Sequence, residues 1–187
     1  QQLGLWLNAL KPGSVKQVLA ALEIAAQTDR PLWLHVEGGQ AGGHHSWEDL
    51  EDLLLATYHR VREHENVVLA VGGGIGTPQR AAELLSGQWS RKYGAPLMPV
   101  DAVLIGTAAM ACAESTASPS VKQALAGISG PESGWVRRAQ FEGDMTSGLS
   151  GLNADIHFLD NTASRTAALL DEVAGDLEAV TSRREEI

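Results

Sequence analysis

The sequence predicts an α/β fold built on a parallel sheet, and three observations support this. From Leu3 to about Ile128, short β-prone runs alternate with longer helical patterns, which is typical of βα units that feed a parallel sheet. The strand runs are almost continuously apolar, as in sheets covered on both faces. An apolar fraction of 44% in 187 residues is sufficient for the core of one ordinary domain. Four such units form either an open doubly wound sheet or half of an eight-stranded barrel.

The first two units each begin with an apolar run. Residues 3–7 predict the first strand, and Ser14–Ala26 predicts a helix whose first serine is the N-cap. Pro31–Val36 predicts the second strand. A loop rich in glycine and histidine connects it to a helix over Trp47–Glu63, which Ser46 can cap.

The third and fourth units repeat the pattern with tighter connections. Val67–Val71 predicts the third strand, followed by a tight loop over Gly72–Thr77. Proline at the first position favours a helix over Pro78–Leu85. Ala102–Ile105 predicts the fourth strand, and a short helix follows Thr107.

The composition changes past Gly130, where the sequence becomes polar and rich in glycine and serine. Thr146–Gly151 predicts a linker, and a charged helix is expected from about Asn161 to the end. We therefore expect two segments, with residues 1–130 forming the βα units and residues 131–187 forming a linker and an accessory helical segment.

Charge and apolar content exclude several classes of function. The net charge of −9 repels a phosphate backbone, so we expect no nucleic-acid partner. No apolar run reaches the roughly 20 residues needed to span a bilayer, so we expect no membrane partner. The single cysteine, Cys112, lies in an apolar stretch and is expected to be reduced, buried and inert, which fits a cytoplasmic protein.

Two neighbouring strand ends carry glycine loops followed by helices. Gly72–Thr77 follows the third strand, and Gly106–Thr107 follows the fourth. Glycines in such loops let backbone N–H groups approach an anion, and paired loops of this kind form a phosphate site in barrels. Taken alone, the first loop is equally typical of a plain tight turn, and it lacks the spacing of a dinucleotide-binding fingerprint.

Glycines and histidines dominate the segment Glu37–Ser46, which follows the second strand and leads into a helix. Three interpretations of the adjacent His44 and His45 are open. A shared metal ion is one, but adjacent side chains point apart and no cysteine or carboxylate stands at ligand spacing, so we expect no metal. One histidine could cap the following helix, or one could supply a proton in a redox reaction over a cofactor.

The linked order of these motifs resembles the enoyl reductase domain of microbial type I fatty acid synthases, over roughly residues 3–130. The matching segments are Gly38–Asp49, Asn66–Leu69 with Gly72–Gly76, Leu85–Ser90, Met98–Thr107 and Ser118–Lys122. The tail over Asp160–Arg165 is similar to the bacterial, mycobacterial-like branch, and Ala113–Ala117 departs from the fungal pattern.

The resemblance implies the C-terminal half of a TIM-type (β/α)8 barrel that holds FMN. In such an enzyme NADPH or NADH reduces FMN, which then reduces a trans-2-enoyl thioester carried on acyl carrier protein. His44 would assist protonation of the substrate. The residues that would bind the cofactor are Gly42 and Gly43 in the histidine loop and, around the phosphate, Gly73, Gly74, Gly76, Gly106 and Thr107.

The resemblance also implies partners. They are the acyl carrier protein domain, the other domains of the synthase and further copies in a large homo-oligomer. The remaining strands would come from residues upstream of Gln1 or from another chain. Two rival interpretations are an FMN-dependent, nitronate monooxygenase-like oxidase of the same barrel type, and a non-catalytic structural segment of the synthase.

Overall fold

The computed structural model describes residues 8–127, 145–159 and 162–185. The strands are β1 (Asn8–Leu10), β2 (Leu32–Glu37), β3 (Gly43–His44), β4 (Val67–Gly72), β5 (Ala102–Val103), β6 (Met145–Leu149) and β7 (Asp155–Leu159). The helices are α1 (Val15–Ala25), α2 (Leu50–Arg62), α3 (Pro78–Ser86), α4 (Thr107–Ala111), α5 (Pro119–Gly127), α6 (Thr162–Glu172) and α7 (Leu177–Ser182), with a 3₁₀ segment at Gln88–Tyr93.

The larger sheet consists of parallel strands in the order β1-β2-β4-β5. Leu32 pairs with Val67 and Glu37 with Gly72, so β2 and β4 end at the same level. The order of these strands follows the chain and does not reverse, whereas a doubly wound sheet reverses at its switch point. The predicted α/β fold with a parallel sheet is confirmed.

One face of this sheet packs against the helices. Alternate residues of β2 and β4 point into that core, which also receives apolar side chains of α1, α2 and α3. The most deeply buried are Val18, Leu34, Val36, Leu53, Leu54, Leu69, Val71 and Leu84. Each such side chain contributes about 1.5–3 kcal/mol when fully buried. On the opposite face, Trp33, His35 and Val68 are only half-buried.

The helix starts show where local capping signals suffice. Ser14 caps α1 as predicted, its Oγ accepting from the amide of Gln17 at 3.3 Å. Helix α2 begins later than predicted, because Asp49 is its N-cap and accepts from the amide of Glu51 at 2.8 Å. The hydroxyl of Ser46 donates instead to the carbonyl of Gly13, a contact across the fold that local sequence does not reveal.

The predicted second and third strands are confirmed to within a residue or two at their ends. The fourth is shorter than expected and ends at Val103, although the amide of Leu104 still donates to the carbonyl of Val71 at 2.8 Å. The expected first strand at residues 3–7 lies outside the described residues, and β1 begins at Asn8.

The expected linker at Thr146–Gly151 is wrong for most of its length, because residues 145–149 form strand β6. This strand pairs antiparallel with β7, and β7 pairs in turn with β3 of the histidine loop. Glycine at position 148 lets the ring of Phe158 pack against strand β6, since a Cβ there would lie 2.9 Å from the ring. The boundary at residue 130 stays a prediction.

The expected single helix near the end of the chain is divided in two. Helix α6 ends at Glu172, Gly175 adopts a left-handed conformation with φ of 86°, and Asp176 then caps α7. Glycine accepts this conformation without steric cost and so ends the first helix. Among the residues that the structure describes, no helix combines the length and apolar character needed to cross a membrane.

Candidate functional site

A cavity of about 820 Å³ lies at the carboxyl ends of the parallel strands. Its walls come from the loops after β2, β4 and β5, with contributions from α4, α5 and Met145 of β6. The predicted site residues that line it are Gly42, Gly73, Gly74, Gly76, Gly106 and Thr107. Gly43 and His44 lie outside this lining. The structure thus brings together the three loops whose glycines suggested a site.

The glycine loop after β4 has a backbone that other residues would strain. Gly73 and Gly74 have φ of 99° and 72°, and a Cβ on Gly74 would lie 2.6 Å from the side-chain oxygen of Gln40. At Gly76 and Gly106, by contrast, an added Cβ would meet no atom within 4 Å. These two glycines line the cavity and leave open space where another residue would carry a side chain.

The histidine loop also packs against the glycine loop of the fourth unit. A Cβ on Gly42 would lie 2.5 Å from Oγ1 of Thr107, so only glycine permits this approach. Thr107 begins α4 directly after Gly106. The contact between Gly42 and Thr107 joins the first and third walls of the cavity.

His44 does not line the cavity but lies two residues beyond Gly42, which does, and this position outside the lining is called the rim. It is exposed and belongs to β3, where it pairs with Ile156 of β7. Its Nε2 is 2.8 Å from Oγ of Ser150, in the turn between β6 and β7. The ammonium group of Lys11 donates to the carbonyl oxygen of His44 at 3.1 Å. The hairpin and the end of β1 therefore fix the position of this residue.

His45 holds the histidine loop against the hairpin. Its ring stacks on that of His157 with centroids 3.4 Å apart and an angle of 8° between the planes. Trp47 contacts both rings edge-on, and its indole N–H donates to Asp155 at 2.9 Å. Nε2 of His157 is 3.0 Å from the carbonyl oxygen of Gly39. These contacts give His45 a structural role.

Burial lowers the pKa of both stacked imidazoles. The pKa of His45 falls below its ordinary value, chiefly because the ring is desolvated. The pKa of His157 falls from 6.5 to about 4, through burial first and through the neighbouring His45 second. Asp155 opposes both shifts without reversing them. Both rings are therefore neutral near pH 7.

We expect the hairpin to lose stability as the solution is acidified. An imidazole with a lowered pKa contributes its full stability above pH 6.5, and this is lost as the pH falls towards about 4. The loss from His157 amounts to at most about 3 kcal/mol. Amide hydrogen exchange of residues 145–159 measures it. The variant His157→Gln should flatten the dependence, and the exposed His59→Gln should not; equal pH dependence in all three proteins would contradict the assignment.

Three cavity residues were not identified from the sequence as part of a site. Lys11 follows β1 and forms an ion pair with Glu37, which ends β2. His35, which lies within the predicted second strand, lines the cavity, and its Nε2 lies 3.9 Å from a carboxylate oxygen of Glu37. Desolvation lowers the pKa of His35. The signal that could have found these residues is their position at consecutive strand ends.

The expectation of a buried cysteine is wrong. Cys112 is exposed and lines the cavity at the end of α4. Helix α4 has only five residues and buries none of them, so its apolar sequence does not carry the cysteine into a core.

A buried carboxylate fixes the helix that follows the glycine loop. Glu51 of α2 is 5% exposed and accepts from Arg80 of α3 at 2.7 Å and from Lys92 at 2.5 Å, and it also accepts from the hydroxyl of Tyr93. Burial opposes its ionisation, but these donors hold the pKa of Glu51 below its ordinary value. The cluster ties α3 to α2 and so positions the glycine loop.

The parallel sheet and the cavity at its carboxyl edge define an α/β protein with the ligand-site position usual in that class. The sequence matches the family described as fatty acid synthase subunit beta/Fas1-like, helical, over residues 31–187. The chain belongs to this family.

Individual relatives agree with the family. The chain is 38% identical over 160 residues to the fatty acid synthase beta subunit pigK of Monascus ruber. The aligned region covers 84% of this chain and 8% of the relative. It is 34% identical over 196 residues to the fatty acid synthase subunit beta of Gibberella zeae, an alignment that covers 100% of this chain and 10% of the relative. For the fatty acid synthase subunit beta of Saccharomyces cerevisiae the identity is 37% over 137 residues, covering 72% and 7%.

The chain therefore spans a tenth or less of each of these relatives. The three are fungal, and they give no support to the bacterial branch expected from the tail. Their names and that of the family establish a segment of a fatty acid synthase and do not specify enoyl reduction.

Proposed function

We propose that this chain is the C-terminal half of an FMN-binding (β/α)8 barrel that reduces enoyl thioesters on acyl carrier protein during fatty acid synthesis. The observation that carries the proposal is the convergence of Gly42, the Gly72–Thr77 loop and Gly106–Thr107 on one cavity at the carboxyl edge of a parallel sheet. Ligands of barrel enzymes bind at this edge, with phosphate at two adjacent strand-end loops.

The barrel is supported by the sheet. Its strands follow chain order, helices α1, α2 and α3 pack on one face, and the other face presents half-buried residues such as Trp33 and Val68. In a closed barrel that second face is the packed interior, filled by side chains of all eight strands. The remaining strands would come from another part of the polypeptide or from another chain.

The residues present fit FMN. The open positions at Gly76 and Gly106 leave space for a phosphate near the start of α4, and the cavity volume of about 820 Å³ lies within the range of about 300–1,000 Å³ usual for such ligands. When bound, FMN would supply hydride transfer from NADPH or NADH to the β-carbon of the enoyl group.

The chain's own residues would position the ligands and handle the proton. Gly73, Gly74, Gly76, Gly106 and Thr107 would hold the phosphate, with Gly42 and Gly43 in the loop beside the flavin ring. His44, at the rim, would deliver the proton to the α-carbon. The neutral ring of His35 and the ion pair of Lys11 with Glu37 form the polar floor of the cavity.

The proposal is tested on the full-length parent protein. We expect it to show the absorption bands of oxidised flavin, to lose them with NADPH or NADH, and to regain them when an enoyl thioester is added without oxygen. Turnover of a nitroalkane without nicotinamide would indicate the oxidase instead. Absence of flavin from the intact assembly would indicate a structural segment.

A further inference from the structure

We propose that Ser150 is a positioning residue for His44, and that the β6–β7 hairpin is therefore part of the reductase site. This inference rests on the proposed function. The segment that carries Ser150 lies beyond the βα units, where the sequence suggested only a linker. In the fold this segment returns to the histidine loop, where Oγ of Ser150 lies within hydrogen-bond distance of the ring of His44, 2.8 Å from Nε2.

The hairpin is attached to the loop on both sides of this bond. Gly43 and His44 pair with His157 and Ile156 through the backbone. Further along, His45 stacks on His157, and Trp47 donates to Asp155. At its other end Met145 lines the cavity. The hairpin therefore spans from the cavity wall to the rim and determines where His44 lies.

Its buried polar residues indicate a fixed element. Thr146 is 0% exposed, Ser147 1% and His157 5%. Ser150 is itself held in the turn, since its amide donates to the carbonyl of Ala154 at 2.9 Å and its Oγ accepts from the amide of Leu152 at 3.3 Å. A hydroxyl fixed in this way offers the ring of His44 a defined partner.

The chemical consequence concerns the other ring nitrogen. In a neutral imidazole the hydrogen bond at one nitrogen determines which of the two carries the proton. Oγ of Ser150 already accepts from the amides of Leu152 at 3.3 Å and Ala154 at 3.4 Å, so its hydroxyl proton is left to donate to Nε2. The proton of the neutral ring then lies on Nδ1, the nitrogen left for a substrate at the rim. Lys11 donates to the carbonyl oxygen of His44, so both the backbone and the ring of His44 are oriented.

The test uses the full-length synthase and follows the reoxidation of reduced flavin by an enoyl thioester. Ser150→Ala should slow this step about 5- to 10-fold, as expected for one hydrogen bond, and leave reduction by nicotinamide unchanged. Ser150→Thr, which retains the hydroxyl, should restore most of the rate. Leu152→Ala, in the same turn and 82% exposed, serves as the control and should behave as the natural protein.

A double variant separates positioning from a structural effect. If Ser150 acts through His44, then His44→Ala with Ser150→Ala should be no slower than His44→Ala alone, because the effects of coupled residues do not add. Multiplied effects, or a normal rate in Ser150→Ala, would overturn the inference. A normal rate in His44→Ala would instead overturn the role of His44 in the proposed function, so the two failures are distinguishable.

Discussion

Replacing Gly106 with leucine is expected to abolish the retention of FMN by the full-length protein. The φ of Gly106 is −98°, which other residues adopt, and an added Cβ meets no atom within 4 Å. A leucine there meets neither the positive φ nor the close contact found at Gly74, and we expect it to occupy the space where the phosphate is proposed to bind. Flavin absorbance after gel filtration, compared with the circular dichroism of the same sample, measures the two effects separately.

Gly106→Leu is a sharper test than the same change at Gly74. There the φ of 72° and the overlap with Gln40 would distort the loop itself, so lost flavin would have two explanations. Gly151→Leu is the matched control, since that position is equally open and lies outside the cavity lining. If Gly106→Leu retained flavin at the natural stoichiometry, the phosphate assignment would be wrong.

Replacing His44 with alanine is expected to separate the two halves of the reaction. Nicotinamide should still reduce the flavin at the natural rate, because no role in that step is proposed for the imidazole. Reoxidation by an enoyl thioester should slow about 100-fold or more, the effect of losing a general acid. Stopped-flow absorbance of each half-reaction measures both rates.

The control for this variant is His59→Ala, an exposed histidine of α2. It should leave both rates unchanged. Normal reoxidation in His44→Ala would move the proton donor elsewhere, and His35 would be the next candidate because its ring lines the cavity.

The parts of the fold that the sequence predicts well are those specified by neighbouring residues. Strands β2 and β4 follow from apolar runs, and α1 and α3 follow from Ser14 and Pro78 at their starts. The start of helix α2 is harder to predict, since Ser46 and Asp49 are both residues that commonly cap helices. A contact of Ser46 with Gly13, 33 residues away, decides between them.

The β6–β7 hairpin and its pairing with β3 also depend on contacts between residues that are far apart in the sequence, so local sequence does not predict them. Strand β3 is two residues long, and glycine has no preference for strands, so only its pairing with β7 makes it a strand. The residues 146–151 have the composition of a linker, and the pairing of 145–149 with β7 is what makes most of them a strand.

For the candidate site, the sequence indicates the glycine loops that line the cavity but not the polar side chains beside them. The glycine loops after β4 and β5 can be recognised from their composition. Lys11, His35 and Glu37 are common residues, and they become a cluster only because the parallel pairing of β1 with β2 ends at Leu10 and Leu34, which brings Lys11 beside the last residues of β2. Which way His44 turns depends on Ser150, which the local sequence does not contain.

The pairing of β3 with β7 also has a consequence for how the protein is made. His44 and Ser150 are 106 residues apart, and ribosomes add about 5–20 residues per second. The histidine loop therefore leaves the ribosome about 5 to 20 s before the strand that completes it. During that interval Lys11 is already available to the carbonyl oxygen of His44, but Ser150, the partner of its ring, is not. The hairpin therefore joins the histidine loop after the loop itself has been synthesised.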